Sequence, residues 1–234
     1  MSTRAGSAKN RAEPRRVRAL CLHGWRTSGD ILSFQMGAMQ GNTQLDCTFV
    51  TAPHAATGPP DAGIATFYPE PDFAYFEWFL REEYGEAEEG TGKRAERIKG
   101  MEESMEMLIK LLRDASPRYD CILGFSQGAG MATRLAHWQQ QQQPSTPLLF
   151  DFVVLVGGVP PLEREAEIGA GGISMPSLHI QGKADSLLPL SERLAALYSV
   201  RTVLVHEEGH NVPSMRTGLY PQIDAFLSER LRLH

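Results

Sequence analysis

The segment at residues 121–129, with the sequence CILGFSQGA, constrains the fold of this chain more than any other. An apolar run ends in Gly-x-Ser-x-Gly, and small and apolar residues follow at once. This order is typical of a nucleophile elbow, in which a strand leads through a sharp turn carrying one serine directly into a helix. Gly124 and Gly128 lack the Cβ atoms that would collide with neighbouring backbone in such a turn. The pattern predicts Ser126 as a nucleophile; the alternative is a plain turn with a solvated serine.

Two residues further along the chain can supply the acid and the base that a serine nucleophile needs. Asp185 follows a predicted strand, and from this position a carboxylate can hold a histidine in the required tautomer. His210 follows the last predicted strand, in a loop that can reach back over the elbow. We therefore predict a triad of Ser126, Asp185 and His210, in the chain order Ser, Asp, His. For Asp185 the alternative is an ordinary turn aspartate.

Other acidic and histidine residues fit these roles less well. Asp151 begins a predicted strand and Asp224 lies inside a predicted helix, so neither follows a strand as Asp185 does. His206 is the nearest alternative base, but it ends a strand and is expected to face the sheet. The remaining histidines show no paired ligands at the short spacing of a zinc site, so we expect no metal and no cofactor.

A second loop, His23-Gly24-Trp25, directly follows the first predicted strand. A hydrolase with a nucleophile elbow needs two backbone N–H groups for the oxyanion, one from the residue after the serine and one from a facing loop. We assign these donors to the amides of Gln127 and Trp25. The alternative is an ordinary turn in which His23 is a packing residue.

Short, continuously apolar segments alternate with segments of helical periodicity along the chain. The predicted strands are 17–22, 45–50, 121–125, 150–156, 177–181 and 202–206. The predicted helices are 31–40 with Asp30 as N-cap, 96–116, an elbow helix to about 138, 191–198 and 221–233. Apolar strands alternating with helices indicate a mostly parallel sheet with helices on both faces, and we predict an α/β-hydrolase fold.

The chain of 234 residues is long enough for one such domain, which we assign to residues 17–234. Residues 1–16 are basic and contain no apolar run. They are predicted to be a disordered tail and not a signal peptide or a membrane anchor. Prolines and glycines interrupt residues 54–92, which predicts a loop-rich, aromatic insert within the domain.

Composition argues against several classes of partner. The formal net charge is −5 despite the basic tail, which argues against nucleic acid. No apolar stretch approaches the length of a membrane span. Cys21, Cys47 and Cys121 are odd in number and lie in predicted strands, which indicates free thiols in a reducing compartment. We therefore expect a cytoplasmic protein that binds neither nucleic acid nor membranes.

The insert is dense in aromatic residues at positions 67–79. It leaves the second strand at the same edge as Ser126, because the carboxyl ends of parallel strands share one edge. Four residues are predicted to form the walls of an acyl pocket: Phe67, Tyr68, Phe73 and Tyr75. The alternative is that the aromatic residues fill the core under a long loop, which applies most to three of them: Phe76, Trp78 and Phe79.

Four motifs together resemble the FSH-type serine hydrolases, which are small α/β-hydrolases related to the ovarian-tumour-candidate-2 hydrolases. The motifs are Leu22-His-Gly-Trp, Gly124-Phe-Ser-Gln-Gly-Ala, Gly182-Lys-Ala-Asp and Gly209-His-Asn-Val-Pro. The resemblance covers about residues 17–230 and implies an esterase or thioesterase. Fungal members in polyketide gene clusters are similar and release acyl chains from a carrier protein. The resemblance therefore also implies an acyl-carrier domain of a polyketide synthase as a partner.

We accordingly predict a serine hydrolase that cleaves carboxylic esters or thioesters through an acyl-enzyme. A general small-ester carboxylesterase is an alternative within the same reaction class. A non-catalytic binding protein of the same fold is a second alternative, against which the presence of all three triad residues argues. An enzyme similar to dienelactone hydrolases would need a cysteine where Ser126 stands, and Cys121 is expected inside the strand.

Overall fold

The computed structural model describes residues 15–84, 95–161 and 163–233. The strands in chain order are β1 (Val17–Leu22), β2 (Leu45–Val50), β3 (His54–Ala55), β4 (Phe76–Glu77), β5 (Leu80–Tyr84), β6 (Ala95–Lys99), β7 (Cys121–Phe125), β8 (Phe152–Val156), β9 (Ser177–Gly182) and β10 (Arg201–His206). The helices are α1 (Gly29–Gly41), α2 (Ala62–Phe67), α3 (Met101–Asp114), α4 (Gln127–Gln142), α5 (Glu165–Ile168), α6 (Leu188–Ala196) and α7 (Tyr220–Arg232), with a 3₁₀ turn at Met215–Thr217.

The continuously apolar segments form the centre of a parallel sheet with the order β10-β9-β8-β7-β1-β2. Successive side chains of a strand point to opposite faces, so each central strand contributes to two cores. One core lies between the sheet and α3, α4 and α6, and contains Leu108, Leu135 and Leu194. The other lies between the sheet and α1 and α7, and contains Met36 and Phe226. The predicted parallel sheet with helices on both faces is confirmed.

The long helix predicted at 96–116 is shorter in the structure. Residues 95–99 instead form β6, which pairs with β5 in an antiparallel hairpin. Glu82 contacts both Arg97 and Lys99 across this hairpin, which favours pairing of the two strands. Gly100 has a φ of +76° and separates β6 from α3, because a left-handed residue cannot continue a helix.

Two other helix ends differ from the prediction. The N-cap of α1 is Ser28, whose Oγ accepts a hydrogen bond from the N–H of Ile31, whereas Asp30 lies in the first turn. The glutamine tract continues α4 to Gln142. The Gln139 amide explains the extension: it accepts from the N–H of Leu149 and donates to the carbonyl of Phe150, which ties the helix end to the strand that follows.

The predicted tail at 1–16 lies outside the described residues up to position 14. Arg15 contacts the carboxylate of Asp120, and Arg16 donates to the carbonyl of Leu45 at 2.5 Å. These two arginines are therefore held against the sheet.

The cysteines are free thiols: Cys21 and Cys121 are buried and Cys47 is half-buried. Burial raises the pKa of the Cys21 and Cys121 thiols, so both stay protonated. In the part of the chain that the structure describes, no helix combines the length and the apolar character needed to cross a bilayer.

Candidate active site

The turn between β7 and α4 carries Ser126 in a strained conformation, with φ +54° and ψ −114°. A Cβ at Gly124 would lie 2.5 Å from the Cα of Ala129, and a Cβ at Gly128 would lie 2.2 Å from the carbonyl oxygen of Leu22. Both glycines are therefore required for α4 to start this close to β7 and β1. The N–H of Ser126 donates to the carbonyl of Val156 at 3.0 Å and fixes the turn on the neighbouring strand.

Ser126, His210 and Asp185 form one chain of hydrogen bonds. The Nε2 atom of His210 lies 3.0 Å from Ser126 Oγ, and its Nδ1 atom lies 2.7 Å from Asp185 Oδ2. The other carboxylate oxygen of Asp185 accepts from the N–H of Leu187 at 2.7 Å. Because an ionised carboxylate only accepts hydrogen bonds, Nδ1 of the neutral ring carries the proton and Nε2 accepts from the serine hydroxyl.

Three strand ends bring these residues together. Ser126 follows β7, Asp185 follows β9 and the loop of His210 follows β10. The ring of Phe125 packs against the His210 ring with a centroid distance of 5.1 Å. The Asp185 side chain is 1% exposed and that of His210 is 28% exposed, so the acid is shielded while the imidazole reaches the cavity described below.

The alternative acids and base lie elsewhere. Asp151 precedes β8 at the opposite edge of the sheet and pairs with Arg118. Asp224 lies on α7 and accepts from the N–H of Gln44 at 2.8 Å. The His206 ring is buried at the end of β10, with Nδ1 4.0 Å from Glu208.

The loop after β1 approaches the elbow closely at Gly24. A Cβ there would lie 3.1 Å from the Phe125 ring and 3.4 Å from the Cβ of Ser126. The next residue, Trp25, lines the same cavity as Ser126 and Gln127. Among the described residues, no acceptor contacts the backbone N–H of Trp25 or of Gln127. Both amides are thus available to a ligand oxygen.

His23 holds this loop in place from the core. Its Nε2 accepts from the N–H of Ala52 at 3.0 Å, and its Nδ1 lies 2.8 Å from the carbonyl of Gly24. Burial lowers the pKa of His23 to about 4, so the ring is neutral near pH 7. Its carbonyl accepts from the indole N–H of Trp78 at 2.8 Å, which joins the loop to the insert. This supporting network was not predicted, since its partners are distant in sequence.

The side chain of Gln127 was also not identified from the sequence. Its Oε1 accepts from the N–H of Trp78 at 3.0 Å, and its Nε2 lies 3.3 Å from the carbonyl of Phe79. Gln127 therefore fixes the end of the insert above the elbow.

A cavity of about 870 Å³ opens over Ser126 and His210. On one side it is bounded by Ile64 and Phe67 of the short helix α2 and by Tyr68, which follows that helix. On the other side lies an apolar wall made by the loop after β8 and by the start of α6: Val159, Pro160, Pro161, Leu187 and Leu190. The cavity also contains charged residues that the sequence did not single out: Arg26, Asp61, Glu77, Arg81, Arg134 and Glu163.

The predicted aromatic walls are corrected in part. Phe67 and Tyr68 line the cavity, whereas Phe73 and Tyr75 do not. Phe73 packs edge-on against Phe34 and Tyr68 beside a separate surface depression. Tyr75 is 9% exposed and donates its hydroxyl to the carbonyl of Tyr68 at 2.6 Å. The reason is that residues 73–75 lead into β4, whose pairing with β3 turns this segment away from Ser126.

The aromatic residues at 76–79 fill the core, which was the alternative prediction for them. Trp78 is fully buried, and Phe76 and Phe79 pack against the same core, with Phe79 also lining the cavity. Residues 76 and 77 form β4. Within residues 15–84, 95–161 and 163–233, no group of three His, Cys, Asp or Glu residues is arranged to hold a metal ion.

The chain is similar to known serine hydrolases and esterases. A family model described as "Serine hydrolase (FSH1)" matches residues 13–219. The chain is 32% identical over 214 residues to the mouse (Mus musculus) protein "Esterase OVCA2", which covers 85% of this chain and 90% of the relative. The solved structure of esterase PE8 aligns over 92% of both chains with a TM-score of 0.59 and 21% identity. That similarity shows the fold, and the predicted α/β-hydrolase fold is confirmed.

One relative carries a different name. A Schizosaccharomyces pombe protein named "Dihydrofolate reductase" is 31% identical over 222 residues, which cover 87% of this chain but 46% of the relative. The chain thus spans less than half the length of that protein.

Proposed function

The chain belongs to the serine hydrolase (FSH1) family, and from this membership we propose that it hydrolyses carboxylic esters or thioesters through a covalent acyl-enzyme on Ser126. The observation that carries the proposal is the position of His210, with Nε2 3.0 Å from Ser126 Oγ and Nδ1 2.7 Å from Asp185. Both distances are within the range for proton transfer and for orientation of the base.

In the proposed first step Ser126 Oγ attacks the carbonyl carbon while His210 Nε2 accepts the hydroxyl proton. The Asp185 carboxylate stabilises the imidazolium that results and holds the ring in place. The N–H groups of Trp25 and Gln127 donate to the oxyanion, and the positive end of the α4 dipole adds to this stabilisation. His210 then protonates the leaving alcohol or thiol as the tetrahedral intermediate collapses to the acyl-enzyme.

Water completes the reaction by the same proton transfers. His210 accepts a proton from the attacking water, and the second tetrahedral intermediate releases the carboxylic acid and the Ser126 hydroxyl. No step requires a redox partner or a metal, because attack, proton transfer and oxyanion stabilisation all come from side chains and amides of this chain.

The substrate is proposed to be an acyl chain of moderate size. A volume of about 870 Å³ lies within the range of pockets that hold drug-sized ligands, and aromatic and aliphatic side chains line much of it. The relatives named esterases favour oxygen esters as substrates. An acyl thioester, including a chain on the carrier domain of a polyketide synthase, undergoes the same chemistry and is our second candidate.

The free thiols favour a reducing compartment, and we therefore propose that the protein is cytoplasmic. Subcellular fractionation tests this location.

A chain-length series tests the proposed pocket and compares the two substrate types. We would measure kcat/KM for p-nitrophenyl esters and N-acetylcysteamine thioesters with acyl chains of increasing length. Each methylene buried in the cavity is worth roughly 0.8 kcal/mol, so kcat/KM should rise about threefold to fourfold per carbon until the cavity is full. Phe67→Ala should flatten the profile. Leu148→Ala, whose exposed side chain lies outside the cavity, is the matched control and should keep the profile; a flat wild-type profile would contradict the pocket.

A further inference from the structure

One wall of the cavity is a single face of α4. Ser126 precedes the helix, and Gly130 and Arg134 follow at intervals of four residues, so all three lie on one side of it. Eight residues at a rise of about 1.5 Å place the Cα of Arg134 roughly 12 Å from that of Ser126. Long helical side chains lean toward the helix N-terminus, which brings the guanidinium closer to the serine. Gly130 lies between them, and a Cβ there would come within 2.8 Å of the carbonyl oxygen of Val159, so the loop after β8 packs closely against this part of α4.

Arg134 is a partly desolvated cation at the far end of this path. Its side chain is 11% exposed and contacts the carboxylate of Glu163 through Nη2. Its Nε is buried and has no acceptor among the described residues. Burial, with a smaller effect of Arg164, lowers the pKa of Arg134 to about 10, so the guanidinium remains charged near neutral pH. A buried donor without an acceptor is costly, so Glu163 does not satisfy all the donors of this guanidinium.

The other buried arginine of the cavity offers no comparable site. The Nε, Nη1 and Nη2 atoms of Arg26 donate to Glu77, to the carbonyl of Pro59 and to the hydroxyl of Thr57. Its guanidinium is therefore occupied by groups of the insert, whereas that of Arg134 contacts the loop carboxylate of Glu163, whose side chain is 35% exposed.

We propose that Arg134 binds a carboxylate of the substrate at a distance from the reacting ester, and that Glu163 occupies the guanidinium when this carboxylate is absent. Val159 and Pro160 lie beside Gly130 and line the cavity together with Leu190, so the connecting part of the substrate is hydrocarbon. The substrate class is thus a monoester or thioester of a dicarboxylic acid, or an ester of an ω-hydroxy acid. This inference rests on the proposed hydrolysis and adds the substrate charge to it.

Competition between Glu163 and the substrate carboxylate distinguishes substrate binding by Arg134 from a purely structural ion pair. A planar guanidinium binds a carboxylate through parallel hydrogen bonds, and Glu163 competes with the substrate for these donors. Removal of the cation should therefore weaken selection of carboxylated substrates, whereas removal of the competing carboxylate should strengthen it. A structural pair would lose stability in both variants without any change in selectivity.

The test compares p-nitrophenyl monoesters of adipic, suberic and sebacic acids with uncharged acyl esters of the same chain length. The measured quantity is the ratio of kcat/KM for the carboxylated ester to that for its uncharged match. Arg134→Gln should lower this ratio about tenfold to a hundredfold. Glu163→Gln should raise it roughly twofold to fivefold. Arg193→Gln is the matched control, because Arg193 pairs with Glu165 outside the cavity, and it should leave the ratio unchanged.

A parallel series of acetate esters of ω-hydroxy acids and of the matching alcohols places the charge on the leaving group. A response in either series supports the proposal and identifies which part of the substrate lies along α4. A ratio that Arg134→Gln leaves unchanged in both series would overturn it. The proposed hydrolysis is tested separately with the uncharged esters. If the wild-type protein hydrolyses them and Ser126→Ala does not, that proposal is supported whatever the result for Arg134.

A binding measurement separates the two proposals completely. Suberate should bind Ser126→Ala in a calorimetric titration, and the double variant with Arg134→Gln should bind it at least tenfold more weakly. This readout does not depend on turnover, so it tests Arg134 even if no ester is hydrolysed. Equal suberate affinity in the two proteins would contradict the carboxylate site.

Discussion

Gly157 lies against the ring of His210, and a Cβ at this position would come within 3.1 Å of the Nδ1 and Cε1 atoms of that ring. The glycine has a φ of +52° and follows β8, directly beside the elbow. The strand end next to β7 therefore leaves the space that the imidazole occupies between Ser126 and Asp185.

The first prediction follows from this contact. Gly157→Ala should displace the His210 ring from Ser126 and lower kcat by at least tenfold, because proton transfer depends on sub-ångström placement. It should also cost about 1 kcal/mol of stability, since alanine is strained at positive φ. Gly218→Ala is the matched control: its φ is +68°, and no atom lies within 4 Å of an added Cβ. A comparable kcat in the two variants, with equal melting temperatures, would show that the close contact is unimportant.

The second prediction concerns the carboxylate. Asp185→Asn should retain the fold but lower kcat on the order of 10⁴-fold, because the imidazole loses the charge that orients it. His210→Ala should cause similar damage, and the double variant should be scarcely worse than either single one. Steady-state kinetics on a p-nitrophenyl ester measures all three. Should Asp185→Asn cost only a few-fold while Asp151→Asn or Asp224→Asn is severe, the acid has been assigned wrongly.

The third prediction uses the buried histidine under the oxyanion loop. The folded-state pKa of His23 is lowered to about 4, below its unfolded value of about 6.5, because burial disfavours the charged ring. The unfolded chain therefore binds more protons than the folded one between these pH values, and stability is lost as pH falls from about 6.5 to 4. The full effect is on the order of 3 kcal/mol. His179, whose pKa burial lowers to about 3, adds to the same trend.

Urea unfolding at a series of pH values between 4 and 7 measures this dependence. His23→Gln should reduce the slope of unfolding free energy against pH in that window, since the contribution of this ring is removed. An unchanged slope would mean that His23 is not the neutral, desolvated ring described above.

The fourth prediction compares two glutamines of α4. Gln127 hydrogen-bonds to the backbone of Trp78 and Phe79, and Gln139 makes the same kinds of bond to Leu149 and Phe150. Replacing either with alanine should cost about 1–3 kcal/mol, because buried backbone groups lose their partners. Only Gln127→Ala should also raise KM for long acyl esters, because Gln127 holds the backbone of Phe79, whose side chain lines the cavity. A KM increase of the same size in Gln139→Ala would indicate a general loss of stability and no local role.

The sequence predicts those features of the fold and the site whose pattern is local, within a few neighbouring residues. Strands β7 and β9 are buried throughout and β1 is buried except at Arg18, and the bounds predicted for these three strands lie within one residue of those in the structure. The elbow is recognisable from its local sequence, because close backbone contacts require glycine at positions 124 and 128. Sequence order also placed Asp185 and His210 after strands of a parallel sheet, and the structure brings both to Ser126; their catalytic roles stay predictions.

The remaining features depend on contacts between distant segments. Residues 96–99 have a helical sequence pattern but form part of β6. The contacts of Glu82 with Arg97 and Lys99 across the hairpin explain why the strand forms. The direction of Phe73 and Tyr75 is set by pairing of β4 with β3, which no local pattern reveals. Arg134 lies on a helix whose periodicity was visible, but the cavity beside it is made by loops from elsewhere in the chain.

The central claim is that Ser126 is the covalent nucleophile of this hydrolase. The most direct measurement is intact mass spectrometry after treatment with a fluorophosphonate, followed by peptide mapping of the adduct. We predict one adduct per chain, located on Ser126, that is absent from Ser126→Ala and present in Ser199→Ala, an exposed serine outside the cavity. An adduct that persists in folded Ser126→Ala, or that maps to another residue in the wild-type protein, would contradict the claim.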